Sequence, residues 1–323
     1  MNKKLKKSIL AILPISLGVF LIWYSLSKLS DSDFQSIKNS FRTANYWWVG
    51  LSLVFGVLSH LSRAYRWQFL LAPLGYKPKF ANSVMTVLLA YLLNLLVPRS
   101  GEVARAAGIK KYEGIPFEKA FGTIVAERVA DVIMLLGIIG LAFFLQADLI
   151  SSYLFKNSGD SNSLFKMIIF IGIPIVGFGL FRYFKKSKHP FIAKIITFIN
   201  GLMEGLISVF KMKNKWSFVF HTVFIWLMYV AMFYAVTFAL PETTNLPFTA
   251  IIVGFVVGGL SMALTNGGLG TYPVFVASAL ILYNVDENAA RAFGWIMWTA
   301  QTLMVLVFGL LSFLLLPIYN RKS

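Results

Sequence analysis

The chain has 323 residues, of which 58% are hydrophobic and 13% charged, and its net charge is +17. A soluble domain carries about 25% charged residues, so the composition predicts an integral membrane protein. The absence of cysteine excludes disulfides, zinc–thiolate sites, iron–sulfur clusters and cysteine nucleophiles. The basic excess is typical of cytoplasmic loops of membrane proteins, and we expect no binding of nucleic acid.

The first half of the chain contains three predicted spans and one broken apolar hairpin. The apolar run 9–26 is longer than the core of a signal peptide, about 7–15 residues, which indicates a retained first span. The second span, 46–71, begins at an aromatic anchor typical of a membrane boundary. Residues 80–112 are an apolar hairpin broken at Pro98. The helix that follows, 117–147, is about 45 Å long and exceeds the hydrocarbon core of ~30 Å.

The second half adds three spans, an interfacial helix and a second hairpin. Residues 164–181 and 216–240 are predicted as the fourth and fifth spans. Between them, 189–210 has apolar residues at helical spacing, which predicts an amphipathic helix at the interface. The uncharged segment 246–285 breaks at a glycine-rich tip. Its second limb is too short to cross the membrane, so we predict a re-entrant hairpin. The final span is 292–316.

These elements predict an all-α polytopic membrane protein with about six full transmembrane helices, two re-entrant helical hairpins and an inverted repeat. The chain, 1–323, is a single integral-membrane domain with repeat-like halves at 80–147 and 246–317. Each half is a hairpin followed by a helix with an AFG motif, at Ala120 and Ala292, although three shared letters could be a coincidence. The distribution of basic residues predicts a multi-pass protein of the cell membrane with both termini cytoplasmic.

The polar tip of the first hairpin is the first candidate site. Ser100 is placed to cap a following helix, and Gly101 permits close backbone approach. Arg99 and Arg105 could fork onto a phosphate, while Glu102 shares a helix face with Arg105. The alternative is an ordinary ion pair in a cytoplasmic loop. The residues predicted to bind substrate here are Asn94, Arg99, Glu102 and Arg105.

A second candidate set lies at the start of the helix 117–147. Glu127 and Asp131 are i,i+4 neighbours, and Arg128 and Asp131 are i,i+3 neighbours. Charged groups at this depth must face a protein interior or a wet cavity. They form either a structural ion-pair network or a relay for protons or conformational change.

Two further features complete the candidate residues. Arg63 and Arg66 lie three apart on one face of the second span, where they either snorkel to the interface or contact a headgroup. The glycines of the second hairpin tip could cradle an anion or form a flexible turn. That tip lacks the lysine of a P-loop, which argues against nucleotide binding. Its predicted binding residues are Asn266, Gly267, Gly268, Gly270 and Tyr272.

Three motifs resemble the lysyl-phosphatidylglycerol synthase transmembrane-region family, also called flippase-like: NLLVPRSGEVARA at 94–106, AERVAD at 126–131 and NGGLG at 266–270. The Arg63-x-x-Arg66-Trp67 element is similar to that family's arginine–tryptophan element. The family's best-known members join this unit to an aminoacyltransferase domain, which these 323 residues do not contain, so the resemblance implies the lipid-translocating half. Asn266 replaces the family's proline and Pro273 replaces a glutamate, which argues against a cationic headgroup.

The function expected from these features is translocation of an anionic phospholipid or a polyprenyl-phosphate-linked lipid between leaflets. The expected partners are therefore membrane lipids with anionic headgroups. One alternative is an integral-membrane transferase acting on a lipid, with Glu102 or Glu127 as the base. Another is an accessory subunit of a separate lipid-modifying enzyme. The three histidines lie far apart in sequence, no catalytic set emerges, and neither a metal nor a cofactor is expected.

Overall fold

The structure is a computed structural model that describes residues 16, 19–24, 27, 29–97, 99–146 and 212–321. Most of the predicted first span, the span at 164–181 and the interfacial helix at 189–210 lie outside these residues. The chain divides into two compact units, one comprising Met1–Val125 with Trp216–Ser323 and the other Ala126–Lys215. The described residues are helices and their connections, with no strand among them.

Five α-helices lie between residues 31 and 145 of the described chain. Asn45 caps the second of them by accepting a hydrogen bond from the Trp47 amide, so this helix begins where the aromatic anchor predicts. Helix α1 was missed, since its polar sequence shows no span, yet a capping box at Ser30 and Asp33 starts it. The helices are α1 (Asp31–Thr43), α2 (Tyr46–Leu71), α3 (Phe80–Leu96), α4 (Ser100–Glu113) and α5 (Phe117–Leu145).

Four α-helices lie between residues 215 and 319: α6 (Lys215–Thr237), α7 (Phe248–Leu264), α8 (Thr271–Ile281) and α9 (Glu287–Tyr319). Among the described residues, α5, α6 and α9 are long and apolar enough to cross a membrane. The predicted all-α polytopic fold is confirmed. Short 3-10 helices lie at Ala72–Leu74, Pro241–Thr243 and Asn266–Gly268.

The first hairpin consists of α3 and α4 packed in very close contact. A Cβ added at Gly101 would lie 2.1 Å from the Ala90 carbonyl oxygen, so only glycine fits there. The turn has an extended Val97, and Arg99 adopts a positive φ of 63°. The prediction that Ser100 caps α4 is wrong. Arg99 occupies the cap position, and the Ser100 hydroxyl donates instead to the Leu93 and Val97 carbonyls.

The second hairpin consists of α7 and α8 joined by the glycine-rich tip. The Thr265 and Thr271 hydroxyls lie 2.8 Å apart, and Thr271 also donates to the Ser261 carbonyl across the hairpin. Helix α8 begins at Thr271 and includes Pro273, because a proline in the first turn of a helix is tolerated. Buried polar hydrogen bonds therefore close this hairpin at its tip.

Helix α9 positions both hairpins, and the second one lies along its first half. A Cβ added at Gly294 would lie 2.5 Å from the Pro273 carbonyl oxygen, so the two backbones touch. Further along, the Trp298 indole donates to the Gly267 carbonyl at 2.9 Å. Trp298 is eleven residues into α9, which is about 16 Å of helix. The tip of the second hairpin thus stops about half a hydrocarbon core from the start of α9.

The first hairpin approaches α9 from the other end. Asn82, near the start of α3, exchanges two amide hydrogen bonds with Asn320 just beyond α9, at 2.9 and 2.8 Å. Nearer the tip, Leu92 packs against Gly309, ten residues or about 15 Å back along α9. The hairpins therefore enter from opposite ends and reach the middle of α9, which is the geometry of two opposed re-entrant hairpins. The repeat boundaries at 80–147 and 246–317 stay a prediction.

Candidate functional site

The tips of the two hairpins touch each other. A Cβ added at Gly267 would lie 2.2 Å from a methyl carbon of Leu95, so the glycine admits the first tip against the second. The Asn266 side-chain amide donates to the Leu96 carbonyl at 3.4 Å. Because Gly267 also accepts the Trp298 hydrogen bond, the junction joins both tips to the middle of α9.

Two helices begin at this junction. Helix α4 starts after Arg99, where the Asn94 side-chain oxygen accepts from the Gly101 amide at 2.8 Å, and α8 starts after Gly270 without a side-chain cap. A helix N-terminus carries a partial positive charge. The Arg99 side chain is exposed beside this junction. Two helix ends and a guanidinium therefore contribute positive potential where the hairpins meet, and the Glu102 carboxylate in the first turn of α4 partly offsets it.

The glycines of the second tip serve the turn itself. Gly267, Gly268 and Gly270 all have positive φ, between 61° and 73°. A Cβ at Gly268 would lie 2.8 Å from the Cβ of Tyr272, whose own side chain is buried. The Gly268 amide donates within the turn to the Thr265 carbonyl. These contacts favour a turn of defined conformation over a flexible one. Asn266 and Gly267 are the residues of the turn that face the first hairpin.

Arg105 lies in a different environment from Arg99. It is buried, and its guanidinium carbon lies 3.8 Å from the centre of the Trp67 ring. The Trp67 indole in turn donates to the Thr123 hydroxyl at 2.8 Å. Glu102 is half-buried and accepts a bond from the Asn94 amide. Of the two arginines predicted to fork onto a phosphate, Arg99 is therefore exposed and Arg105 is buried, and their joint binding of a phosphate stays a prediction.

Arg63 and Arg66 lie between α2 and α6. Arg63 donates to the Tyr229 hydroxyl at 3.4 Å, and Arg66 donates to the Thr222 hydroxyl at 2.9 Å. Both guanidinium groups are enclosed, with 2% and 0% of each residue exposed. The snorkelling interpretation is therefore wrong, because snorkelling requires a solvated head. A third polar pair, Ser62 with His221 at 2.8 Å, extends this row.

Sequence reasoning missed three residues beside Arg63. The hydroxyls of Tyr91 and Tyr229 lie 3.2 Å apart, and the His60 ring lies 4.4 Å from the Tyr91 ring. His60 is buried, and its Nδ1 has no hydrogen-bond partner among the described residues. Tyr91 precedes Leu95 by one helical turn, about 6 Å. A polar row therefore runs along α2 to within one turn of the tip junction.

Glu127, Arg128 and Asp131 lie on α5, in the second compact unit. Arg128 Nη1 lies 3.6 Å from Asp131 Oδ2, so the predicted i,i+3 ion pair is confirmed. Glu127 and Asp131 are buried, as expected for carboxylates at this depth. Their role as a relay stays a prediction. Among the described residues, no group of three or more His, Cys, Asp and Glu side chains could hold a metal ion.

The fold and the site together define a polytopic α-helical membrane protein with two opposed hairpins. Residues 10–309 match the family described as the lysylphosphatidylglycerol synthase TM region, and the chain belongs to that family. The resemblance found in the three motifs is thereby confirmed.

Three curated proteins are similar to this chain. A UPF0104 membrane protein of Methanocaldococcus jannaschii is 23% identical over 76% of this chain and 77% of its own length. A UPF0104 membrane protein of Pyrococcus horikoshii is 28% identical over 43% of this chain and 41% of its own. The glycosyltransferase AglD of Haloferax volcanii is 30% identical over 29% of this chain and 15% of its own. No solved structure matches.

Proposed function

We propose that this protein moves a lipid with a phosphate-bearing headgroup between the two leaflets of a membrane, and that the headgroup passes at the junction of the hairpin tips. The observation that carries the proposal is the contact of two half-depth hairpins at the middle of α9, where Gly267 meets Leu95. Opposed broken helices that meet near the midplane are the common arrangement of transporter binding sites.

The charges around the junction favour an anionic group. Arg99 is exposed, two helix N-termini begin at the junction, and Arg63 lies on the polar row that approaches it. A guanidinium binds phosphate oxygens through paired hydrogen bonds. The second tip carries no charged residue, so a phosphate held on the first side meets only uncharged groups on the second. The basic-residue bias assigns the charged side to the cytoplasm.

The family supports a lipid substrate in general terms, since its description names lysylphosphatidylglycerol, which is a lipid. The matched part of the Haloferax glycosyltransferase is 15% of that protein, so its name adds no activity to the proposal. Transfer chemistry, in which Glu102 would act as a base, gains nothing from the structure, because Glu102 binds the Asn94 side chain beside the turn.

A cross-link between the tips tests the proposal directly, because the chain has no native cysteine. The double variant Leu96→Cys with Asn266→Cys places two thiols at the junction, where the Leu96 carbonyl and the Asn266 amide already touch. Transport is measured in proteoliposomes as the loss of dithionite protection of a fluorescent phosphatidylglycerol. We expect oxidation to stop transport and reduction to restore it.

The control is Asp33→Cys with Asn288→Cys, a pair whose native side chains lie 3.0 Å apart at the start of α9. Oxidation of this pair should leave transport unchanged. Undiminished transport through cross-linked tips would contradict the proposed passage. Wild-type protein that moves the lipid no faster than empty liposomes would refute translocation itself.

A further inference from the structure

A half-open apolar cavity of about 280 Å³ lies between α1 and the first turns of α9. Helix α1 is amphipathic, and Phe34, Ile37 and Phe41 recur at i, i+3 and i+7 on the face that lines the cavity. Trp295 of α9 and two aliphatic residues from the chain before α1 complete the apolar wall. Arg291 is the one charged residue in the lining. The cavity is therefore an apolar slot with a guanidinium at its edge.

The cavity lies near one end of α9, at the level where a membrane surface is expected. Arg291 is four residues into α9, and the Asp33 side chain of α1 accepts a bond from Asn288 at the start of the same helix. Helix α1 is polar on its other face, which is typical of a helix lying in the interface. An acyl chain of the adjacent leaflet is thus the apolar ligand closest to this slot.

The charges at the mouth of the cavity have both signs. Arg291 pairs with Glu287, whose side chain is 61% exposed. Asp33 lies near the same guanidinium and interacts with it electrostatically. One cation between two carboxylates suits a headgroup that itself has both signs, with its phosphate at Arg291 and its ammonium at Glu287 or Asp33. A purely anionic headgroup would meet two negative groups.

We infer that this cavity binds one acyl chain of a zwitterionic phospholipid, whose headgroup carries both a phosphate and an ammonium, for which phosphatidylethanolamine is the probe. The bound lipid packs its chain against Phe34, Ile37 and Trp295 and seals the space between α1 and α9. The site goes beyond the proposed transport, although it lies close to the tip junction, since the ring of Trp295 lies 5.7 Å from that of Trp298, which donates to Gly267.

Native mass spectrometry of the full chain tests this site by counting retained lipids. The protein is released from nanodiscs that contain equal amounts of phosphatidylethanolamine and phosphatidylglycerol with identical chains. We expect one phosphatidylethanolamine to be retained preferentially. Ile37→Trp fills the cavity and should reduce retention about tenfold, since the acyl chain loses its apolar contacts. Glu287→Gln combined with Asp33→Asn should keep the lipid and lose the headgroup preference.

The matched control is Leu311→Trp, an equally large substitution at an exposed position of α9 far from the cavity, which should leave retention unchanged. Phe34→Ala, at a side chain that is 54% exposed, serves as a second variant that opens the mouth and lowers retention if Ile37→Trp does not fold. Equal retention in wild type, Ile37→Trp and Phe34→Ala would overturn the site. Preferential retention of phosphatidylglycerol would overturn the headgroup assignment. Neither outcome depends on transport.

Discussion

The two hairpins have the same construction but are anchored at different places. Each consists of two helices of 17 residues or fewer, and each has a contact that only glycine allows, at Gly101 in the first and at Gly294 against the second. The first is hydrogen-bonded beyond the end of α9 at its base, through Asn82 and Asn320. The second is hydrogen-bonded to α9 at its tip, through Gly267 and Trp298.

The two hairpins also differ in charge. Arg99, Glu102 and Arg105 belong to the first hairpin, whereas residues 246–281 of the second carry no charge. The first hairpin has the charged tip, and its hydrogen bonds to Asn320 lie at its base, far from that tip. The second hairpin has the neutral tip, which is hydrogen-bonded to α9 directly. The second tip is thus held on α9 by a hydrogen bond, whereas the first hairpin reaches α9 near its tip through the packing of Leu92 against Gly309.

The two tight glycines test whether both hairpins depend equally on backbone contact. Gly101→Ala and Gly294→Ala each force a Cβ into a backbone carbonyl, so each should cost about 3 kcal/mol or more of stability. Gly122→Ala is the control, because it is the AFG glycine matching Gly294 and has open space around its Cβ position. It should gain about 0.5–1 kcal/mol from helix propensity. Melting in detergent measures all three, and equal melting temperatures would contradict the packing.

Arg105 should contribute to the stability of the protein, whereas Arg99 should contribute to transport. Removing the Arg105 guanidinium in Arg105→Ala takes away its stacking on Trp67 and opens a void, at a cost of about 2 kcal/mol. Lys110→Ala, at an exposed position of the same helix, should change stability by less than about 0.5 kcal/mol. Thermal melting compares them. If Arg105→Ala melted like wild type while losing lipid transport, Arg105 would be a binding residue instead.

Arg99 should show the reverse behaviour, losing function while gaining stability. Its positive φ of 63° costs a non-glycine residue about 1 kcal/mol, which Arg99→Gly should recover. Since the guanidinium is lost, transport of fluorescent phosphatidylglycerol should fall toward the rate of empty liposomes. Asn284→Gly is the matched control, with a φ of 62° in the loop before α9. It should also melt higher but transport normally. Normal transport by Arg99→Gly would remove Arg99 from the site.

Lowering the pH should weaken the contact between α1 and the start of α9, where Asp33 binds Asn288. Hydrogen bonds from Ser30 and then Asn288 lower the pKa of Asp33 from 3.8 to about 2. Because the folded pKa lies below the unfolded one, this stabilisation is complete above about pH 4 and disappears as the pH falls through about 2. A small drop in melting temperature is expected over that window, and Asp33→Asn should show less of it. The same drop in both proteins would exclude Asp33 as its source.

The long helices that the structure describes and the two hairpin breaks could be predicted because they depend on local chemistry, while the spans predicted at 9–26 and 164–181 stay predictions. Asn45 and the following aromatic residues set the start of α2, and the glycine-rich run ends α7. Helix α1 was missed, although the spacing of Phe34, Ile37 and Phe41 carried the signal of an amphipathic helix. The prediction considered only long apolar segments, which identify spans, and α1 is too polar to be one of them.

The site could be predicted only in part. Arg99 and Asn266 lie in recognisable motifs, and the structure brings their hairpins together. Arg63 and Tyr229 are 166 residues apart, so no local pattern connects them. The same applies to Tyr91 and His60, whose proximity depends on how α2, α3 and α6 pack. Long-range packing of buried polar groups has no signature in a single sequence.

The dependence of both hairpins on α9 has a consequence for biogenesis. Asn82 and its partner Asn320 are separated by 238 residues. At about 5–20 residues per second, roughly 10–50 s of synthesis separate them. During that interval the first hairpin exists without the helix that packs on it, and of the bonds at its base Asn82 can make only the one to Glu113 within the hairpin. Completion of α9 is thus the step that commits the nascent chain to its native arrangement, and membrane insertase or chaperone contacts should be longest-lived just before it.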